Sequence, residues 1–369
     1  MQMNKNREPL IHISKRGNIS KAQSILVKCA AILLSLILCA LIITITTGEN
    51  PLAVFSTMFS GCFGTQRKLW IFLQDTALLL LVSLAVTPAF KMRCWNLGAE
   101  GQILVGCLAT AACMIVLGDK LPAGVLFPVM IVSAVLAGAI WALIPAIFKA
   151  KWNTNETLFT LMMNYVATQL VAYYVKIWEN PKGSNSVGII NQKTKIGWMP
   201  TVYNKQLLIV LVVLAITVLM YVYLNYSKHG YEISVVGESE RTALYVGIKV
   251  NKVIIRTMFL SGAICGIMGF LLVSGINHTI SASIAGGRGF TGVMISWMSK
   301  FNPFTMILSS GLLMFMETGA GDISTTFGLN KSFSDILTGV IIFFIIGSEF
   351  FINYRVSFAK SNKEAGKNV

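Results

Sequence analysis

Apolar residues fall into ten runs along the chain: Ser24–Thr47, Leu69–Phe90, Gln102–Leu117, Ala123–Phe148, Glu156–Ile177, Gln206–Tyr226, Val253–Gly275, Phe290–Met298, Phe304–Thr318 and Phe333–Tyr354. About 20 apolar residues cross a bilayer as a helix. The pattern therefore predicts an all-α polytopic membrane protein with about ten transmembrane helices. The run at Phe290–Met298 is too short to cross, which predicts a half-helix buried inside the protein, where irregular backbone at membrane depth is tolerated.

Two glycine-broken stretches stand out against this pattern. Asn96-Leu97-Gly98-Ala99-Glu100-Gly101-Gln102 opens the third run, and Gly286-Gly287-Arg288-Gly289-Phe290-Thr291-Gly292 opens the eighth. Adding 191 to Gly98 and Gly101 gives Gly289 and Gly292. Matching interruptions in the two halves predict an inverted repeat of five helices each, with broken half-helices.

Composition narrows the function classes. Apolar residues make up 55% and charged residues 12% of the 369, against roughly 25% charged in a soluble domain, and the mean hydropathy is +0.69. A water-soluble enzyme is excluded. The net charge of +15, from 30 Lys and Arg against 15 Asp and Glu, sits at the ends of apolar runs, as orientation in a membrane requires, and no nucleic-acid partner is expected. The basic stretch 1–23 predicts a cytoplasmic N-terminus, the membrane domain spans 24–354, and 355–369 forms a cytoplasmic C-terminal tail. Residues 227–252 form a cytoplasmic loop, and 178–205, with Lys182, Lys193, Lys195 and Lys205, form a basic loop outside.

No catalytic constellation is visible. His12, His229 and His278 stand apart, and neither a phosphate-binding Gly-x-x-x-x-Gly-Lys-Ser/Thr loop nor a Gly-x-Ser-x-Gly elbow occurs. The seven cysteines have no metal-ligand spacing and read as small apolar fillers, so no metal site is expected. Asp75, Glu100, Arg256, Arg288, Glu317, Asp335 and Glu349 interrupt or flank apolar runs. Charges at membrane depth are costly and mark pathways. Glu100 and Arg288 lie in the two glycine-broken stretches, which predicts that they face a polar pathway or pair with each other. Arg256, Glu317, Asp335 and Glu349 fall near run ends, where interface exposure accounts for them. Gly262 with Gly266, and Ala134 with Gly138 and Ala142, are spaced as helix-packing positions.

In the cytoplasmic loop, Gly237-Glu238-Ser239-Glu240-Arg241-Thr242-Ala243-Leu244-Tyr245-Val246-Gly247-Ile248 reads as a short helix capped by Ser239. Its small-residue face at Ala243, Leu244 and Gly247 suits docking into a groove of another protein.

Three stretches together resemble the membrane permeases of ABC importers for simple sugars, branched-chain amino acids and nucleosides. Trp95-Asn96-Leu97-Gly98-Ala99-Glu100-Gly101-Gln102 is similar to the Phe-Asn-Ile-Gly-x-Glu-Gly-Gln signature of the nucleoside-type branch. The stretch Asn155 to Tyr165, with Asn164 in its Met-x-Asn-Tyr end, resembles a second signature of that branch, and Gly230 to Ile248 resembles its coupling loop. Ser261-Gly262-Ala263, Gly289-Phe290-Thr291-Gly292 and Asn302-Pro303 continue the match.

The resemblance implies a permease subunit of an ATP-driven importer in the bacterial plasma membrane, with nucleosides, purine nucleosides foremost, as its substrates. It implies a translocation pathway at Asn96, Gly98, Glu100, Gly101, Gln102, Asn164, Arg288, Gly289 and Gly292. It implies ATPase coupling through Gly237, Glu238, Arg241, Ala243 and Gly247. The implied partners are an ABC ATPase subunit that uses the ATP, a second permease subunit, homologous or identical, and an extracytoplasmic solute-binding protein; the chain itself binds no cofactor. The usual coupling pattern Glu-Ala-Ala-x-x-x-Gly is met only at Ala243 and Gly247, with Arg241 and Thr242 departing from it. The alternatives are a permease for ribose or another simple sugar, and an ion-coupled secondary transporter working alone, with Glu100 or Asp75 as its coupling carboxylate.

Overall fold

The computed structural model describes residues 11–358, apart from 18, 19, 49, 202 and 329. Much of both basic tails, 1–10 and 359–369, lies outside the described residues. Among the described residues, thirteen α-helices, one π-helical turn and one two-stranded ribbon fall into two compact units, one from the residues up to 64 together with those from 315 on, the other from 65–314.

In the first unit, α1 (Lys21–Thr47) packs against α2 (Pro51–Phe63) and α13 (Lys331–Asn353). Lys28 and Glu349 form an ion pair of 3.0 Å between α1 and α13. Strands β1 (Ile11–Lys15) and β2 (Tyr354–Phe358) pair antiparallel, Ile13 opposite Val356. Neither α2 nor this ribbon appears in the run pattern: α2 has 13 residues, below crossing length, and the ribbon joins segments distant in sequence.

The second unit is built on α3 (Gln66–Lys91), α4 (Ala99–Leu117), α5 (Ala123–Trp152), α6 (Glu156–Trp178), α7 (Leu207–Tyr226), α8 (Lys228–Glu238), α9 (Glu240–Tyr245), α10 (Val250–Phe270) and α11 (Arg288–Met298). The π-turn Leu271–Asn277 extends α10. Helix α12 (Pro303–Thr326) runs past the predicted end at Thr318, because Glu317 and Asp322 lower its hydropathy without interrupting its backbone ladder. From residue 315 on, α12 belongs to the first unit, where Asp322 packs onto Gly61 of α2 and an added Cβ would stand 2.7 Å from its carboxylate.

Eight helices among the described residues are long and apolar enough to cross a membrane: α1, α3 to α7, α10 with its π-turn, and α13. Of the ten runs, the other two are α11, only 11 residues long, and α12, with 24. The short helix at the eighth run is thus present as expected.

Helix α10 is the axis of the second unit, packing on α5, α4 and α3. Contact with α5 depends on the absence of side chains. A Cβ on Gly138 would collide with the Gly262 carbonyl, one on Gly262 with the Gly138 carbonyl, and one on Gly266 with the Ala134 carbonyl. Two backbones meet directly, as small residues permit in lipid, where no hydrophobic drive brings helices together.

Connections that the charge pattern places on one side gather at one end of this unit. Met92 and Cys94 after α3, Ala146 of α5, Ile233 and Val236 of α8, Ala243 of α9 and Val250 of α10 share one buried apolar cluster. At the other end, the 179–206 segment is tied to the ends of α4 and α10: Asn191 donates to the Met114 carbonyl at 3.0 Å, and the Met199 N–H donates to the Ser274 carbonyl at 2.9 Å.

Candidate functional site

Of the helices in the second unit that start without a side-chain cap, α4 and α11 are the two that start on glycine. Several helix N-termini here carry Ser, Thr or Asn caps, such as Asn155 on α6, which accepts from the Leu158 N–H. Helices α4 and α11 instead begin after Gly98 and Gly287, whose missing side chains supply no hydrogen bond. Away from water, uncapped N–H groups are costly. Side chains from elsewhere satisfy them.

For α4 the acceptors are two asparagines. Asn164 on α6 accepts from the Gly101 N–H at 2.8 Å and donates to the Leu97 carbonyl at 2.8 Å. Asn96 accepts from the Gly98 N–H at 3.0 Å and from Gln102 at 3.2 Å, and donates to Ser261 on α10 at 3.0 Å. Thr160 accepts from the Leu97 N–H at 3.1 Å. Asn96, Gln102 and Asn164 are all buried. These three residues therefore hold the returning chain against α6 and α10, and the polar string of the first glycine-broken stretch is explained by backbone positioning.

For α11 the acceptor is Glu100. Its two carboxylate oxygens each accept an N–H, from Gly287 and from Gly289, both at 2.8 Å. Glu100 also stands in the first turn of α4, so the positive ends of two helix dipoles converge on one carboxylate. Gly289 makes this approach possible: a Cβ there would lie 2.6 Å from the Glu100 nitrogen and 2.7 Å from its carboxylate. Gly292, one turn on, packs on Val82 of α3.

The expected pairing of Glu100 with Arg288 is not formed. Arg288 contacts Asp75 on α3 at 3.4 Å. The two stretches do meet, as their matched positions predict, but through a carboxylate and backbone N–H groups. Sequence spacing identified both residues and could not distinguish a side-chain partner from a backbone one.

Helix α11 then descends along α3 to the end of the unit that holds α8 and α9. Ser296 lies 2.9 Å from Thr87, and Trp297 stacks on Trp95 with ring centroids 5.5 Å apart. There Lys149 pairs with Glu156 at 3.0 Å.

The predicted short helix capped by Ser239 is α9, and the end of a second helix, α8, takes the Gly237 and Glu238 that precede it. Ser239 breaks the chain at φ −159° and caps α9 by accepting from the Thr242 N–H at 3.2 Å; its capping role was legible, the break was not. Gly237 belongs to the end of α8 and packs on the Lys91 carbonyl, and Ala243 is fully buried in the apolar cluster. Glu238, Arg241 and Gly247 are exposed. The exposed apolar surface is Leu244-Tyr245-Val246, with Tyr245 at 93%. Gly247 follows at φ 85°, a left-handed turn that glycine adopts without cost.

Helix α8 is fastened to α10 by Glu232, which accepts from Arg256 at 2.8 Å and lies 3.7 Å from His229. The Arg256 hydrogen bond holds the Glu232 carboxyl below its ordinary value. Arg256 thus has a partner, where a run-end charge facing the interface was expected.

This architecture agrees with sequence comparison. A guanosine ABC transporter permease, NupP of Bacillus subtilis, is 28% identical over 358 residues, covering 95% of this chain and all of its own. A nucleoside ABC transporter permease, NupB of Lactococcus lactis, is 25% identical over 93% of this chain and 96% of its own. A glucose ABC transporter permease, TsgB13 of Haloferax volcanii, is 29% identical over 84% of each. The family model described as branched-chain amino acid transport system, permease component, matches residues 69–346. With crossing helices, two short-circuited helix starts meeting on Glu100, and three quarters of its length matched, the chain belongs to that family of ABC transporter permeases.

Proposed function

We propose that this chain forms the nucleoside pathway of an ATP-driven importer, with purine nucleosides as its first substrates. The observation that carries the substrate reading is the near-complete alignment with the guanosine permease, 95% of this chain on the whole of that one, joined to the Asn96-to-Gln102 string that the fold uses to bring α4 against α11.

ATP is used by a partner ATPase that grips the end of the unit bearing α9, with Leu244, Tyr245 and Val246 as the apolar contact and Glu238, Arg241 and Gly247 around it. A second permease completes the pore, and a solute-binding protein delivers nucleoside to the end bearing residues 179–206. Both tails and the 227–252 loop face the cytoplasm of a bacterial cell. Alternating access then consists of displacing α8 and α9, which transmit through the shared apolar cluster to α3 and α10, and so to the α4–α11 junction.

The glucose relative supports a second reading, a simple-sugar permease. Uptake into proteoliposomes holding both permeases, the ATPase and binding protein separates the two. Labelled adenosine or guanosine enters with ATP and glucose does not under the first reading. Glucose uptake alone overturns it, and uptake driven by a proton gradient without ATPase overturns the ABC mechanism.

A further inference from the structure

A cavity of about 350 Å³ opens in the second unit between α3, the start of α7, the π-turn and the N-terminus of α11. That is at the small end of the range for ligand pockets, about 300–1,000 Å³. Its wall on one side is aliphatic, from Ile71, Leu272 and Ile276. The rest is polar: the Asp75–Arg288 pair, the ammonium of Lys205 and the amides of Gln74, Gln206 and Asn277.

Three observations mark this cavity as built for a solute. The Asp75–Arg288 contact is a single long one of 3.4 Å, so the guanidinium, with five N–H donors, retains capacity for a ligand beside a carboxylate that Gln74 also hydrogen-bonds. Both side chains are partly accessible, 27% and 22%. The π-turn at Leu271–Asn277 departs from the α-helical ladder where Leu272, Gly275, Ile276 and Asn277 reach the cavity; such turns are retained mostly at functional sites.

The lining selects by chemistry. Asp75 and Arg288 cancel, and the exposed Lys205 adds a donor with one positive charge, so a solute that brings acceptors and no positive charge of its own suits the lining. A carboxylate beside a guanidinium offers acceptor and donor to adjacent hydroxyls, and each amide offers a donor and an acceptor side by side, the pattern that complements the edge of a nucleobase. The aliphatic wall takes a flat apolar face.

We propose that this cavity is a solute station of the permease itself. It holds a nucleoside with the ribose hydroxyls on Asp75 and Arg288 and the base edge on Gln74, Gln206 and Asn277. This assignment rests on the nucleoside reading above.

The test uses the assembled transporter in nanodiscs with Asn277→Cys, or Gln206→Cys if the first variant does not assemble, labelled by a maleimide against the unsubstituted background. Millimolar adenosine slows labelling threefold or more, 2′,3′-dideoxyadenosine slows it far less, and Asp75→Asn removes the protection. Absence of protection by adenosine, or protection by leucine or glucose instead, overturns the station. Adenosine uptake by the unsubstituted transporter, measured in parallel, separates the two ideas: uptake without protection rejects the cavity alone, and no uptake rejects the nucleoside reading.

Discussion

The Glu100 carboxylate accepts the Gly289 N–H at 2.8 Å, with the matched Gly98 of the first half lying two residues before Glu100 itself. One half of the chain thereby caps the short helix of the other. Both helices present their positive ends to the junction, and a carboxylate there stabilises two dipoles at once.

Replacing Glu100 tests that junction. Hydrogen bonds to a charged group contribute about 1.5–3 kcal/mol each, and Glu100→Ala loses two, whereas Glu100→Gln keeps one acceptor and no charge. Thermal unfolding in detergent should rank wild type above Gln above Ala, with transport falling in the same order. Equal stability of the Ala variant would remove the capping role.

Charge exchange discriminates between partners of Arg288. Because Arg288 meets Asp75, Asp75→Arg combined with Arg288→Asp should recover part of the uptake that either single variant loses. Glu100→Arg with Arg288→Glu should recover none. Rescue in the second pair would show that the arginine acts on Glu100.

The α9 surface yields a prediction on assembly. Tyr245→Asp should insert and fold normally, since the side chain is 93% exposed, yet co-purify with less than a tenth of the ATPase. Ala243→Asp places a charge in the buried cluster and should lower the yield of folded protein itself. Full ATPase recovery with Tyr245→Asp would move the coupling contact elsewhere.

A pH effect is expected at the opposite end. His278 stacks on Trp198 at a centroid distance of 3.7 Å and 2° between planes, and its carbonyl accepts the Ile190 N–H. Burial first, then the Lys205 charge, lower its pKa from the ordinary 6.5. A lowered value means that the folded segment favours the neutral ring. The stabilisation is present above pH 6.5 and declines as pH falls through that ordinary value toward the lowered one. Amide exchange across 190–199 should therefore be slow at pH 7.5, after correction for intrinsic rates, and accelerate toward pH 5.5. His278→Asn should exchange faster at both and show no such pH step.

Helix packing gives a fifth test. Gly262→Val forces a branched side chain into the Gly138 carbonyl, and overpacking of this kind costs about 1–3 kcal/mol or more. The variant should show early aggregation by fluorescence-detected chromatography. Gly339→Val, where an added Cβ meets nothing within 4 Å, is the control and should behave as wild type.

Hydrophobic spacing alone determined the helical class, most span positions, the short eighth helix and the small-residue seam at Gly138 and Gly262, because a bilayer imposes length and polarity on each segment independently. Ser239 as a cap was equally local. Partner choice was not local. Glu100 and Arg288 are 188 residues apart in the chain, and whether one meets the other or a backbone N–H depends on where α4 and α11 begin at depth, which only their packing on α3, α6 and α10 decides. The same holds for Ala243, whose composition fits a docking face but whose burial against α3 and α10 turns the neighbouring Tyr245 outward. Sequence determined which segments enter the membrane; tertiary structure decided which polar atoms they find there, since each buried donor takes the acceptor that packing brings within reach.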